Sequence, residues 1–186
     1  MNLEELAIKY GTDKKCNGGH CYTPYYEQFF EKHRHENVNF IELGVREGWS
    51  IGMWEEYFTK ANIYCIDNDM EGLCPSRFES PRINFTLCSQ TDESVLNGIA
   101  TSAGGFDIII DDASHISNLS IQSFKILFPH LKKNGIYVIE DLHVCNLSIY
   151  NPEGFSVHLF LDSISGDADK RLTYFADRKI CFIEKI

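Results

Sequence analysis

A chain of 186 residues, 44% of them hydrophobic and 24% charged, can bury one ordinary soluble core and needs neither a metal nor a disulfide staple to fold. Against 27 acidic residues there are 17 basic ones, and the formal net charge of −10 repels phosphate backbones and anionic membranes, so nucleic acid is a poor first guess for a partner and none is expected. No apolar run approaches the ~18 residues of a membrane span, and Met1-Asn2-Leu3-Glu4-Glu5 lacks the basic start and apolar stretch of a secretion signal, so a cytoplasmic location is expected.

In chain order, residues 3–10 place apolar side chains at helical spacing, and a polar loop with Gly11-Thr12-Asp13-Lys14 and Asn17-Gly18-Gly19 follows. A second helix is predicted to start near Pro24, a favoured first-turn residue, with Tyr25, Tyr26, Phe29 and Phe30 as its packing face. Cys16, His20 and Cys21, with His33 and His35 beyond, hold zinc-type ligands but no second cysteine pair at finger spacing, so the segment reads as a loop with scattered thiols. Cys65, Cys88 and Cys181 lie in apolar strand-like runs and read as reduced core thiols. The glycosylation triplets at Asn84, Asn118 and Asn146 have no consequence in a chain that is not secreted.

From Asn39 onward short apolar runs alternate with longer helical ones, the pattern of a parallel sheet covered by helices on both faces. Strands are predicted at 40–43, 63–66, 83–87, 107–110 and 136–139, and helices at 50–58, 93–100, 117–131 and 155–163. At the end, 171–175 and 179–184 alternate toward apolar and read as an antiparallel hairpin joined by Ala176-Asp177-Arg178. The expected fold is α/β, a mostly parallel seven-stranded sheet closing on that hairpin. No linker or repeat divides the chain, so 1–186 reads as a single domain, with 1–37 a helical cap on a core at 38–186.

The first strand runs into Glu42-Leu43-Gly44-Val45-Arg46-Glu47-Gly48-Trp49-Ser50. Glycines between a strand and a helix let the backbone approach a ligand, and the helix start adds a favourable dipole. The spacing is Glu-x-Gly-x-x-x-Gly, not the Gly-x-Gly-x-x-Gly of dinucleotide sites. It resembles the first motif of S-adenosylmethionine-dependent methyltransferases, whose loop passes beneath the amino-acid end of the cofactor, and five parallel-type strands before a hairpin fit the Rossmann-like class I methyltransferase core. Asp67, 19 residues past Gly48, can accept hydrogen bonds from ribose hydroxyls. Ser89 and Gln90, after the third strand, lie where an adenine edge would be, and Asp92 reads as a helix N-cap.

The fourth strand ends in Asp111-Asp112-Ala113-Ser114-His115 and the fifth in Glu140-Asp141. Neighbouring strands in such a sheet gather these carboxylates in one region, where they protonate or bind a cation. Oxygen ligands favour magnesium, manganese or calcium over zinc. The plain alternative is that Asp111 and Asp112 only cap the following helix, which leaves the second acidic pair unexplained. A divalent ion lowers the pKa of a bound hydroxyl and a nearby histidine can take its proton, which is what methyl transfer from a sulfonium to oxygen requires.

Lys9-Tyr10-Gly11-Thr12-Asp13-Lys14, His20-x-Tyr22-Thr23-Pro24-x-Tyr26-Glu27, the run at 111–115, Phe128-Pro129-His130-Leu131 and Val138-Ile139-Glu140-Asp141-Leu142 together resemble the metal-dependent, mycinamicin-type macrolide-sugar O-methyltransferases. The resemblance implies Asp112, Glu140 and Asp141 as ligands of Mg2+ or Mn2+, His115 as general base, and a Lys14 and Tyr22 region folding over the cofactor. With these, the expected S-adenosylmethionine set is Lys14, Tyr22, Glu42, Gly44, Arg46, Gly48, Ser50, Asp67, Ser89, Gln90 and Asp111. Ala113 stands where the family usually has glycine, which narrows backbone freedom beside His115, and residues 142–146 lack the family's aromatic-rich continuation, so the acceptor pocket is expected to differ. The implied activity is O-methylation of a sugar hydroxyl on a glycan or glycoside, with the oligomeric state open. Competing readings are a nucleoside-binding module without turnover, a metal-dependent hydrolase and a catechol-type O-methyltransferase.

Overall fold

A computed structural model describes every residue except Asn146, Ser148, Tyr150, Pro152 and Glu153, so Asn146 and Ser148 of the triplet at 146–148 lie outside the described residues. Helix α1 (Leu3–Tyr10) starts from a reciprocal cap: Asn2 Oδ1 accepts the Glu5 N–H at 2.8 Å while the Glu5 carboxylate accepts the Asn2 N–H at 2.9 Å. Gly11 ends it in the left-handed conformation, φ +79°. Helix α2 (Thr23–Phe30) has Pro24 in its first turn, as the sequence predicts.

The core then alternates β1 (Asn39–Leu43), α3 (Trp49–Tyr57), β2 (Asn62–Asp67), β3 (Ile83–Leu87), α4 (Glu93–Ala103), β4 (Phe106–Asp111), α5 (Ser117–Leu127), β5 (Leu131–Ile139), α6 (Val157–Ile164), β6 (Lys170–Phe175) and β7 (Ile180–Lys185). The sheet order is β3-β2-β1-β4-β5-β7-β6, with β1 to β5 parallel and β7 antiparallel to both β5 and β6. The chain winds outward from β1 in both directions, so the ends of β1 and β4 meet at a topological switch point, where such sheets bind ligands.

Side chains alternate between two apolar layers. Phe40, Ile108, Ile110, Ile136 and Val138 face a cluster with α1, α2 and α3 that includes Tyr26, Phe30, Trp54 and Phe182. Ile41, Leu43, Ile109, Tyr137 and Ile139 face the other, with Leu96 of α4, Phe124 and Leu127 of α5 and Leu161 of α6. No helix among the described residues is long and apolar enough to cross a membrane.

Three expectations are corrected. The predicted helix at 117–131 stops at Leu127, because Pro129 has no N–H to continue the ladder; a 3-10 turn spans Phe128–His130 and Leu131 already opens β5. The loop thiols are not scattered: Cys16 and Cys21 form a disulfide. Cys65 and Cys181 are free and buried as expected, with burial pushing the Cys181 thiol up to about 12, whereas Cys88 is free but only half-buried.

Candidate functional site

Gly44 follows β1 with φ +82°, and a Cβ there would sit 2.4 Å from the Asp112 carbonyl oxygen and 2.5 Å from the Ala113 Cα. The glycine therefore lets the exits of β1 and β4 touch, a closer constraint than ligand approach alone. Gly48, φ +82°, opens α3 with the Phe78 ring 2.6 Å from where its Cβ would be. Asp67 at the end of β2 clasps the loop between these glycines. Its Oδ2 accepts the N–H groups of Val45 (2.9 Å) and Arg46 (2.8 Å), and its Oδ1 accepts that of Asp69 (3.1 Å). A carboxylate has about four acceptor positions, so capacity for a hydroxyl remains.

A cleft of about 900 Å³ opens over these strand ends. Of the expected residues, Lys14, Gly44, Arg46, Ser50, Asp67, Ser89, Gln90, Asp112, His115 and Asp141 line it. Tyr22, Glu42, Gly48, Asp111 and Glu140 lie behind its wall and act on the residues that do. Glu42 is fully buried, accepts the Ser50 hydroxyl at 2.8 Å, and is pushed by burial to a pKa of about 7. Gln90 ties three elements together: its Nε2 donates to Ser123 Oγ at 2.9 Å and to Asp111 Oδ1 at 3.3 Å, and its Oε1 accepts the Ser114 N–H at 3.1 Å. Burial also raises Asp111 to about 7, and its Oδ2 has no hydrogen-bond partner among the described residues.

At one end the cleft reaches the acidic cluster. Asp112 follows β4, its N–H bound to the Leu43 carbonyl at 3.0 Å, and the Glu140 N–H after β5 binds the Asp111 carbonyl at 3.0 Å. A strap, the segment from Gly11 to Tyr22, crosses this floor. Its Lys14 Nζ lies 2.6 Å from Asp112 Oδ2 and 2.7 Å from Glu140 Oε1, its His20 Nδ1 2.8 Å from Asp141 Oδ1, and its Tyr22 hydroxyl donates to the same Asp141 oxygen at 2.6 Å. The Tyr26 hydroxyl of α2 donates to Glu140 Oε1.

His115 Nε2 stands 3.7 Å from Asp141 Oδ2, and His143 Nδ1 stands 3.9 Å from Oδ1. Burial would raise the Asp141 carboxyl, but the hydrogen bonds from His20 and Tyr22 and the nearby imidazoles hold it at about 2. For Glu140, burial and then the Asp112 charge push the carboxyl well above its ordinary range.

Donor atoms of Asp112, His115 and Asp141 lie within 4.8 Å of one another, as do those of Glu42, Asp112 and Glu140. The expected trio is thus divided: Asp112 belongs to both groups, Asp141 to the outer and Glu140 to the inner. Arg46, His115 and Asp141 have positive φ of 44°, 56° and 52°, so uncommon backbone conformations gather on the cleft wall. Ala113 is not among the positive-φ residues; the left-handed position falls on His115 instead.

No family model matches the chain. Over 147 residues it is 38% identical to the 8-demethyl-8-alpha-L-rhamnosyl tetracenomycin-C 2'-O-methyltransferase of Streptomyces olivaceus, covering 75% of this chain and 37% of that protein. Over 148 residues it is 37% identical to the demethylmacrocin O-methyltransferase of Streptomyces fradiae, covering 76% and 36%. Its structure matches MycE methyltransferase from the mycinamycin biosynthetic pathway, in complex with Mg, SAH and mycinamycin VI, with a TM-score of 0.85 at 29% identity over 100% of this chain and 54% of that one. The chain resembles the sugar O-methyltransferases of antibiotic biosynthesis and has the class I methyltransferase fold. It spans little more than a third of the length of the curated relatives it matches.

Within that methyltransferase fold, sequence reasoning overlooked several residues. Tyr26 reads as a packing aromatic, yet its hydroxyl reaches Glu140. His20 reads as one of several loop imidazoles, yet it binds Asp141. Thr12, Asp13 and Trp49 also line the cleft. The signal for Thr12, Asp13, His20 and Tyr26 in the sequence is membership of the two runs that carry the family resemblance, Lys9 to Lys14 and His20 to Glu27, which gives them no individual role.

Proposed function

We propose that this chain is an S-adenosylmethionine-dependent, divalent-metal-dependent O-methyltransferase that acts on a sugar hydroxyl of a glycan or glycosylated natural product, as a single cytoplasmic domain. The observation that carries the reading is a single cleft that joins the Gly44 loop and Asp67 to Asp112, His115 and Asp141. The first half suits a nucleoside with an amino-acid tail, and the second suits a hydroxyl with its cation. The relatives' names point to sugar-bearing acceptors, and the MycE complex holds both Mg and SAH.

The residues fit both groups. Asp112 has carboxylate oxygens within 4.8 Å on two sides, Asp141 in one group and Glu140 in the other, and such hard oxygen donors suit Mg2+ or Mn2+. Asp112, Glu140 and Asp141 would hold the cation, which when bound lowers the pKa of an acceptor hydroxyl. His115, beside Asp141 on the cleft wall, would be the general base that accepts the hydroxyl proton. Asp67 offers its remaining acceptor capacity to ribose, and Ser89 and Gln90 line the wall suited to a base edge. Ser50, held by Glu42, lies where the loop passes the amino-acid end.

The test incubates the purified protein with S-adenosylmethionine, Mg2+ and a mixed glycan and glycoside pool, and follows the products by mass spectrometry. Gain of a methyl group on a sugar, abolished by chelator, is the expected result. Binding of S-adenosylmethionine without any transfer would leave a binding module, and activity on the pool without S-adenosylmethionine would make it a hydrolase.

A further inference from the structure

Gln90 stands on the cleft wall beside Ser89, yet its amide is committed to protein groups. The Ser123 hydroxyl donates to the Leu119 carbonyl at 2.7 Å, so toward Gln90 it accepts, and it takes one Nε2 proton at 2.9 Å. Asp111 Oδ1 takes the other at 3.3 Å, and the Ser114 N–H, at 3.1 Å, requires the oxygen. Three partners therefore fix the same orientation of the amide and spend both of its donors. Gln90, Asp111 and Ser123 are all buried, where a polar group left unpaired is costly.

What the amide holds is the turn between β4 and α5. Ser114 precedes His115, whose φ of 56° is uncommon for a residue with a side chain and persists only where the surroundings enforce it. The Ala113 N–H reaches Asp111 Oδ1 at 3.4 Å, and the Ile116 N–H reaches Ser114 Oγ at 3.3 Å. Both of those bonds are local, two positions apart. The bond from Ser114 to Gln90 instead spans 24 positions and anchors the turn to the loop after β3. Helix α5 starts from Ile116 without a side-chain cap, so its own first turn supplies no equivalent anchor.

We propose that Gln90 is a positioning residue for the reaction: from the cofactor's wall it holds the Ser114 amide, and with it the turn that aims His115 into the cleft, while its donors are not free to read a base edge. The catalytic part of this assignment rests on His115 acting as the base, and the hold on the turn does not.

The experiment compares the wild type with Gln90→Met, which keeps the length and removes the amide, and with Gln90→Glu/Asp111→Asn, which keeps an acceptor for Ser114 and moves the donor to the other side of the pair. Calorimetry reads the affinity for S-adenosylhomocysteine, mass spectrometry the rate of methyl transfer to the mixed glycan and glycoside pool at saturating S-adenosylmethionine, and amide hydrogen exchange the protection of residues 114–116. In Gln90→Met, exchange at 114–116 quickens, affinity is unchanged, and transfer falls by roughly 10- to 100-fold, the scale of a misplaced catalytic group. The double variant recovers both protection and rate. Weaker affinity in Gln90→Met with a wild-type rate at saturation would make Gln90 a cofactor contact and overturn the proposal, as would a double variant as slow and as open as Gln90→Met. Absence of transfer by the wild type counts against the methyltransferase reading alone; quickened exchange in Gln90→Met then supports the hold on the turn, and unchanged exchange overturns it. Should Gln90→Met not fold, Ser123→Ala, which removes the acceptor of one Gln90 donor, takes its place, and the same exchange and rate outcomes decide.

Discussion

Asp67, expected at the ribose, has a structural job in the loop as well as the proposed one. With the Asp67 carboxylate clasping the Val45 and Arg46 amides, Asp67→Ala leaves those donors unpaired and frees the loop as well as removing the proposed ribose acceptor. S-adenosylmethionine binding should weaken by about 1 to 3 kcal/mol, read by calorimetry, and unchanged affinity would remove Asp67 from the site. For His115, substitution by Ala should lose roughly 10²- to 10⁴-fold in turnover. Cofactor affinity should hold. Near-native turnover by both His115→Ala and His115→Asn with a saturating sugar acceptor would assign the proton transfer elsewhere. At this scale the sequence made the residue types legible but not their partners. Asp112 and Glu140 stand out at strand ends, whereas the lysine that neutralises them lies 98 and 126 positions away, and no local pattern encodes such a contact.

Among elements, the strap shows the same limit. It reads as a polar loop because it is one; what makes it functional is the set of strand ends it crosses. The strands β1, β4 and β7 are legible because each is a short, mostly buried apolar run, whereas β3 and β6 at the sheet edges are only partly buried and read from their alternation, and the switch point between β1 and β4 follows from strand order. Helix α5 was overextended because apolar spacing continues through Phe128 and Leu131 while Pro129 stops the ladder. Within the strap, Gly19 has no room for a side chain: a Cβ would lie 2.2 Å from the Asp13 carbonyl oxygen and 2.3 Å from that of Lys15. Gly19→Ala should therefore open the strap and withdraw His20 and Tyr22 from Asp141. Amide hydrogen exchange across 11–22 should quicken while that of β4 stays unchanged, and equal exchange in both proteins would show that the strap tolerates the side chain.

Across the whole molecule, buried acids and net charge make stability depend on pH in a direction the structure fixes. Glu42 and Asp111 have folded-state pKa values raised to about 7 by burial, against about 4 for exposed carboxyls in an unfolded chain. Between those values the native protein binds more protons than the unfolded chain, so this contribution is fully present below about pH 4 and is lost as pH rises toward 7. Asp141, lowered to about 2, works the other way: its stabilisation is present above about pH 4 and disappears as pH falls through 2. The thermal midpoint of the protein in chelator should accordingly be higher at pH 5 than at pH 8. The formal charge of −10 gives surface repulsion that grows in the same direction. Salt separates the two, since it screens exposed charges far more than buried ones. In high salt the decline from pH 5 to pH 8 should persist in the wild type and flatten in Glu42→Gln and Asp111→Asn. A decline that vanishes in salt would assign the effect to the surface and refute the role of the buried pair.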